Sequence, residues 1–341
     1  MEQTEILKEI PILGDSGLPQ YFGWSRQALF SYNSEMVFSP RYKITESDRF
    51  IVHSPTHMAV FEIKDDGWLG YMMISIISLR EKKRFSQIYN TIIPMGSFKL
   101  SNNSDSGSVR WHKKKTHLDF ICMEGGRIIK ADVPKFDSNR SMRCALVLSE
   151  LSDAQSVMTS QPYLNDNNGF RLSRRCPCFF VEGVIQLGST EIVFSRGHAW
   201  GIFDWNRNVR PKSDIQYWAA ACGQNNGKTL GFSVGYSWAD SSQGTENAFF
   251  VDGKLHKLGN VTFHIPMSNW LSPWRFTSND NRLEMTFSPH QERSDRHRFF
   301  FHSFTRRQVC GFFSGRAQLD DGSTIEFSNL TGFAERNKMR K

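Results

Sequence analysis

Met58-Ala59-Val60-Phe61-Glu62-Ile63, the turn Asp65-Asp66-Gly67, and then residues 68–79 opening on Trp68: this stretch decides the fold. The first run is apolar and short. The Asp-Gly step is a favoured tight turn because glycine accepts positive φ. Residues 68–79 read as a long buried strand, and Phe50-Ile51-Val52-His53 supplies another strand just before. The same rhythm recurs as hairpins at 118–133 around Glu124-Gly125-Gly126, at 247–258 around Asp252-Gly253, and at 308–327 around Asp320-Asp321-Gly322. Residues 229–238 alternate large apolar with small side chains, which puts the large ones on one face of a strand.

Short strands at this spacing predict an all-β chain of antiparallel sandwiches or barrels rather than a parallel βαβ sheet. Helical periodicity is scarce, and only residues 26–33 are read as a short helix. A chain of 341 residues holds one large or two medium domains. The polar stretch 151–168 lies near the midpoint and is read as a linker or crossover. The expectation is therefore two tandem β-barrel domains, 1–160 and 161–341.

Composition excludes other classes. With 28 Phe, 9 Trp and 8 Tyr the chain is 13% aromatic, too rich for disorder and unlike a coiled coil. Six of the nine tryptophans fall after the midpoint, between Trp200 and Trp274, which points to the second half as the site. The net charge is +8. Its basic residues come in short clusters, Lys82-Lys83-Arg84, Lys113-Lys114-Lys115, Arg174-Arg175 and Arg306-Arg307, which are expected on solvated turns and edge strands. No nucleic-acid partner is expected, because the aromatics sit inside apolar strand runs. Residues 69–79 are too short and too interrupted for a membrane helix, so no integral membrane segment is expected. The acidic start of the chain lacks a secretory pattern, and a cytoplasmic protein is expected. The six cysteines, among them Cys176-Pro177-Cys178, are scattered and are read as reduced structural thiols.

Catalytic signatures such as GxSxG, a P-loop, GxGxxG or HExxH are missing, and the ten histidines lack metal spacing. No metal and no cofactor are expected. Three aromatic segments carry the candidate chemistry. The first is His198-Ala199-Trp200-Gly201-Ile202-Phe203-Asp204-Trp205-Asn206-Arg207, continuing through Tyr217-Trp218 to Cys222-Gly223. Asp204 and Arg207, three apart beside tryptophans, form either a salt bridge that fixes a crossover or a pocket whose carboxylate exchanges protons. The second is Trp238-Ala239-Asp240, then Gly244-Thr245-Glu246-Asn247, where Glu246 opens the apolar strand Ala248-Phe249-Phe250-Val251. Alternation places Asn247 with Phe249 and Glu246 with Ala248 on opposite faces. The third is Trp270 to Phe276, where Trp274 beside Arg275 permits cation–π stacking.

These segments resemble blocks of a family of bacterial proteins, domain-of-unknown-function family 2804. The similar blocks are Gly23-Trp24-Ser25-Arg26-Gln27-Ala28-Leu29, Phe203-Asp204-Trp205-Asn206-Arg207-Asn208, Thr245-Glu246-Asn247-Ala248, residues 251–259, Trp274-Arg275, residues 283–289 and Gly311-Phe312-Phe313-Ser314-Gly315. Two family glycines are replaced here by Asn206 and Asn208, and two family tryptophans by Arg210 and Gln216. The resemblance implies a likeness to tandem lipocalin-like proteins, a group with hydratase-like and cyclase-like members, and hence two adjacent antiparallel barrels.

The functional expectation is an aromatic-lined cavity that binds an apolar small molecule, such as a lipid or isoprenoid. Acid-assisted isomerisation, cyclisation or hydration is the chemistry such a site would add. Asp204 or Glu246 would supply the proton, Arg207 would fix the carboxylate, and Trp205, Tyr217, Trp218, Asn247 and Trp274 would contact the ligand. The competing readings are a carbohydrate- or protein-binding sandwich without chemistry, and a purely structural protein.

Overall fold

The computed structural model describes residues 3–137, 140–211, 213–299 and 302–340, with the side chains at 297–299 and 302 left aside. The chain is all-β, in two large, curled half-barrel sheets. The first sheet runs, in spatial order, Lys83–Ile92, Leu69–Ser78, His57–Asp65, Ile44–His53, Trp200–Val209, Asp166–Leu187, Arg140–Ser149, Gly126–Asp137, Thr116–Met123, Val109–Lys113. Val157–Tyr163, Thr190–Phe194 and Gly23–Ser25 join its flank. The second runs Lys254–Lys257, Ala248–Val251, Lys228–Tyr236, Ser213–Asn225, Thr324–Arg340, His302–Gln318, Leu283–Phe299, Trp274–Ser278, Val261–His264. Every pairing within these two sheets is antiparallel, so the expected architecture of two adjacent antiparallel sheets holds. The Asp252-Gly253 turn has both residues at positive φ, +47° and +80°, as a tight hairpin turn demands.

Solvent contact follows from which faces are covered. On Gly126–Asp137, Ile129, Ala131 and Val133 are buried and Lys130 is exposed, the period-2 pattern of a strand with one wet face. Ile44–His53 and Trp200–Val209 are buried at every position. Both of their faces are covered, one by the first sheet's own core and the other by the second sheet. Four apolar clusters result among the described residues, the smallest of them Trp24, Val157, Ala248, Phe250 and Leu255. Phe50, Phe61, Phe203 and Trp205 fill the first sheet, Trp270, Trp274, Phe276 and Phe313 fill the second, and Ile51, Val60 and Ile202 meet Trp218, Ala220 and Phe333 between them. Each such buried aromatic contributes roughly 2 kcal/mol of transfer free energy.

Several expectations change. Residues 26–33 form bends and the short strand Phe30–Ser31, not a helix. The polar stretch 151–168 is not a linker. It holds Val157–Tyr163, which pairs with Asp166–Leu187 in the first sheet, and Leu164-Asn165 make the hairpin turn between them. The expected division at 160/161 falls within that strand, whereas the chain passes from the first sheet to the second between Val209 and Ser213. Among the basic clusters, Lys113, Lys114 and Lys115 are exposed as expected, but Arg175 and Arg306 are buried in ion pairs. Among the described residues, no helix is long and apolar enough to cross a membrane.

Candidate functional site

Alternation sets what each strand offers at the seam between the sheets. On Trp200–Val209 the residues turned to the second sheet are Trp200, Ile202, Asp204, Asn206 and Asn208, apolar at one end and polar at the other. Ile44–His53 presents Ile51 and then Arg49. His57–Asp65 presents Met58 and Val60 and then Glu62 and Lys64. Thr324–Arg340 answers with Phe333 and then Glu335. The seam therefore carries an apolar half and a charged half.

The charged half is a chain of alternating partners. Arg306 donates to both oxygens of Glu62 at 2.5 and 2.9 Å. Glu335 accepts from Arg49 at 2.9 and 3.1 Å, from Gln308 at 2.7 Å and from Asn337 at 2.8 Å. Arg49 also reaches Asp204 at 2.9 Å, and Arg175 donates to the same carboxylate. Arg175 continues to Glu246 at 3.1 Å, and Arg171 donates to both Glu246 oxygens at 3.0 and 3.1 Å. The Trp218 indole lies between two guanidiniums, Arg49 at 4.8 Å and Arg175 at 4.6 Å, and its Nε1 donates to Ser233 at 2.9 Å. Four carboxylates (Glu62, Glu335, Asp204, Glu246) thus face four guanidiniums (Arg306, Arg49, Arg175, Arg171). All eight are buried, which is sustainable only because each is paired. Burial pushes the Glu335 carboxyl up, but Arg49 and Arg306 outweigh it and hold it down at about 2. Glu246 is lowered by Arg171 and Arg175 against the same penalty.

The sequence-derived site residues separate into three places. Asp204, Glu246 and Trp218 lie together in the seam. Trp205 and Arg207 point the other way, into the first sheet. Arg207 pairs with Asp48 at 2.8 Å, donates to the Ser47 and Ser101 carbonyls at 3.1 and 2.7 Å, and stacks on Trp205 at 4.4 Å. It therefore does not fix Asp204: an odd separation along a strand puts two side chains on opposite faces. Tyr217 and Trp274 sit inside the second sheet. Tyr217 stacks on Tyr236 with centroids 4.9 Å apart, and Trp274 donates to the Trp270 carbonyl at 2.9 Å. Arg275 is exposed and pairs with Glu284, while the cations over Trp270 are Arg307 and Arg336. Asn247 is spent on the backbone, accepting from Gly235 N at 2.7 Å and donating to the Gly259 carbonyl at 2.9 Å.

An open cleft of about 1020 Å³ lies at the polar end of the seam, beside the crossover between the sheets. Tyr42, Trp68, Tyr163 and Trp238 form its aromatic walls, Lys43 and Arg210 supply positive charge, and Asp166 adds one carboxylate. Tyr42 and Trp68 are in ring contact at 5.5 Å. Tyr163 donates to Asp214 at 2.9 Å, which locks its ring. Arg210 donates to Met339 Sδ at 3.6 Å and forms no ion pair among the described residues. Of these wall residues only Trp238 belongs to a candidate segment of the sequence, and none is named there as a ligand contact. Their common signal is an aromatic residue next to turn residues: Trp68 after Asp65-Asp66-Gly67, Tyr163 before Asn165-Asp166, Trp238 before Asp240-Ser241-Ser242.

The family model described as a domain of unknown function (DUF2804) matches residues 3–340. No curated protein matches the chain. Among solved structures, kievitone hydratase from Nectria haematococca is 8% identical at a TM-score of 0.49, over 86% of this chain and 89% of that one. A protein assigned as AttH from Nitrosomonas europaea is 12% identical at a TM-score of 0.48, over 86% of this chain and 91% of that one.

Proposed function

The chain belongs to that family of domains of unknown function, and we propose that it binds an apolar small molecule in the cleft between its two sheets. The observation that carries this reading is the cleft itself. Its volume is at the upper end for small-molecule sites, and it joins four aromatic walls to two cations and the Asp166 carboxylate, the usual mixture of apolar lining with a few orienting polar groups. A lipid or isoprenoid-like ligand would lay its apolar body on Trp68, Tyr163 and Trp238. Its polar end would meet Arg210 and Lys43.

The buried carboxylates argue for binding rather than acid catalysis. A proton donor near neutral pH needs a raised pKa, and Glu246 is held ionised by two arginines. Asp204 is clasped by Arg49 and Arg175. In this reading the seam is a rigid floor that fixes the two sheets and so shapes the cleft.

Native mass spectrometry of the purified protein, followed by solvent extraction, tests the reading. The expected result is an adduct whose extracted component is an apolar molecule. A mass equal to the bare chain, unchanged after incubation with a mixed cellular lipid extract, would count against it.

A further inference from the structure

A second group of reactive side chains lies at the apolar end of the seam. Cys222, on the second-sheet strand Ser213–Asn225, places its Sγ 3.5 Å from His53 Nε2 and 3.7 Å from the Gly201 carbonyl oxygen. Cys178, from the first sheet, faces the same sulfur. The two cysteines belong to one buried cluster, and both border the small space beside Gly231. Cys178 sits at the bulge between Cys176 and Phe179, at a φ of +72° that turns it out of the regular ladder. Gly231 keeps the spot open: a Cβ there would collide with Cys178 Sγ and come within 3.3 Å of Cys222 Cβ.

We infer that Cys178 and Cys222 form a redox-active thiol pair, oxidised by a small peroxide to a disulfide that links the two sheets. Both thiols are buried, but Cys178 lines a narrow cleft with Cys176, Pro177 and the exposed Glu150. Its free volume is about 20 Å³, room for a water-sized molecule. A peroxide is small enough to approach, whereas a peptide thiol or a bulky alkylating agent is not. The two sulfurs also differ in readiness. Burial pushes the Cys222 thiol up, but its neighbours Cys178 and His53 outweigh that and bring it down, whereas the Cys222 sulfur and burial both raise Cys178. The thiolate sulfur attacks one peroxide oxygen, the O–O bond breaks and hydroxide leaves, giving a sulfenic acid. The partner thiol gives up its proton and displaces the sulfenic oxygen as water, forming the S–S bond. Two thiols and one peroxide thus yield one disulfide and two waters, with the sulfurs oxidised and the peroxide reduced.

The test is hydrogen peroxide treatment of the native full chain, followed by intact mass and peptide mapping without reduction. Half-buried Cys122 serves as the dose control. The expected result is a loss of two hydrogens and a linked peptide pair holding Cys178 and Cys222, retained in Cys176→Ser and lost in Cys222→Ser. The wild-type map decides the matter even if Cys222→Ser does not fold. A linkage through Cys176, or none at a dose that oxidises Cys122, overturns the proposal.

Discussion

Glu335 of the second sheet accepts a two-pronged hydrogen bond from Arg49 of the first, at 2.9 and 3.1 Å, with neither side chain reaching solvent. A fork of this kind fixes both distance and orientation. It joins strands 286 residues apart in the chain and makes the charged half of the seam the joint between the sheets.

Removing one member of this pair leaves an uncompensated buried charge. Glu335→Ala is expected to destabilise the protein by about 3–5 kcal/mol, read from urea unfolding. The double variant Arg49→Met, Glu335→Leu is expected to recover much of that loss, because it removes both charges together. A single variant as stable as the wild type would show that the pair is not buried as described.

Acid is expected to open the seam. The Glu335 carboxyl lies at about 2 in the folded protein against an ordinary 4.5, and Glu246 and Glu62 are lowered too. Between those limits the unfolded chain binds more protons, so the stabilisation is complete above pH 4.5 and is lost as pH falls toward 2. Thermal midpoints across this range should fall steeply in the wild type and less so in Glu335→Gln.

Lys64 gives the same slope with pH, but as a destabilising group. Burial lowers its amine from 10.5 to about 7, with the Asp66 charge only partly opposing. Between those values the unfolded chain again binds more protons, so the Lys64 contribution makes stability rise from pH 7 to 10.5. Lys64→Met is expected to raise the midpoint at pH 6 to 7, by an amount that shrinks as pH approaches 10.5. A gain that does not depend on pH would contradict this.

Asp204 and Arg207 make no direct contact and face opposite cores; they are joined only through Asn206, whose side-chain amide donates to Asp204 at 2.5 Å and whose backbone carbonyl accepts from Arg207 at 2.8 Å. Their alanine variants should therefore be additive to within about 0.5 kcal/mol in a double-mutant cycle. A coupling above about 1 kcal/mol would restore them as a pair.

Much of the fold was legible because it follows from period-2 patterning and turn chemistry. Asp65-Asp66-Gly67 and Asp252-Gly253 sit in the turns where the sequence placed them. The odd spacing of Asp204 and Arg207 also implies opposite faces, but the sequence reading paired the two, and the structure corrects it. The partners of Asp204 were not legible: Arg49 and Arg175 are 155 and 29 residues away, and only the register of Ile44–His53 and Asp166–Leu187 against Trp200–Val209 brings them there. A local signal did exist. Arg49 before Phe50-Ile51-Val52, Glu62 within residues 58–63 and Glu335 after Phe333-Ala334 are charges inside apolar strand runs, and each proves to be buried. The cleft was hidden because its walls come from distant turns that only the packed sheets bring together.

The most direct test of the central claim is a fluorescence titration with anilinonaphthalene sulfonate, an apolar probe with an anionic end. Trp238 is 57% exposed on the cleft wall, so Trp238→Ala should leave stability nearly unchanged. The account predicts saturable binding of one probe per chain by the wild type, weakened about tenfold or more in Trp238→Ala, the loss expected of one aromatic anchor worth at least 1.4 kcal/mol. Equal affinity in the two proteins, or no saturable binding by the wild type, would contradict it.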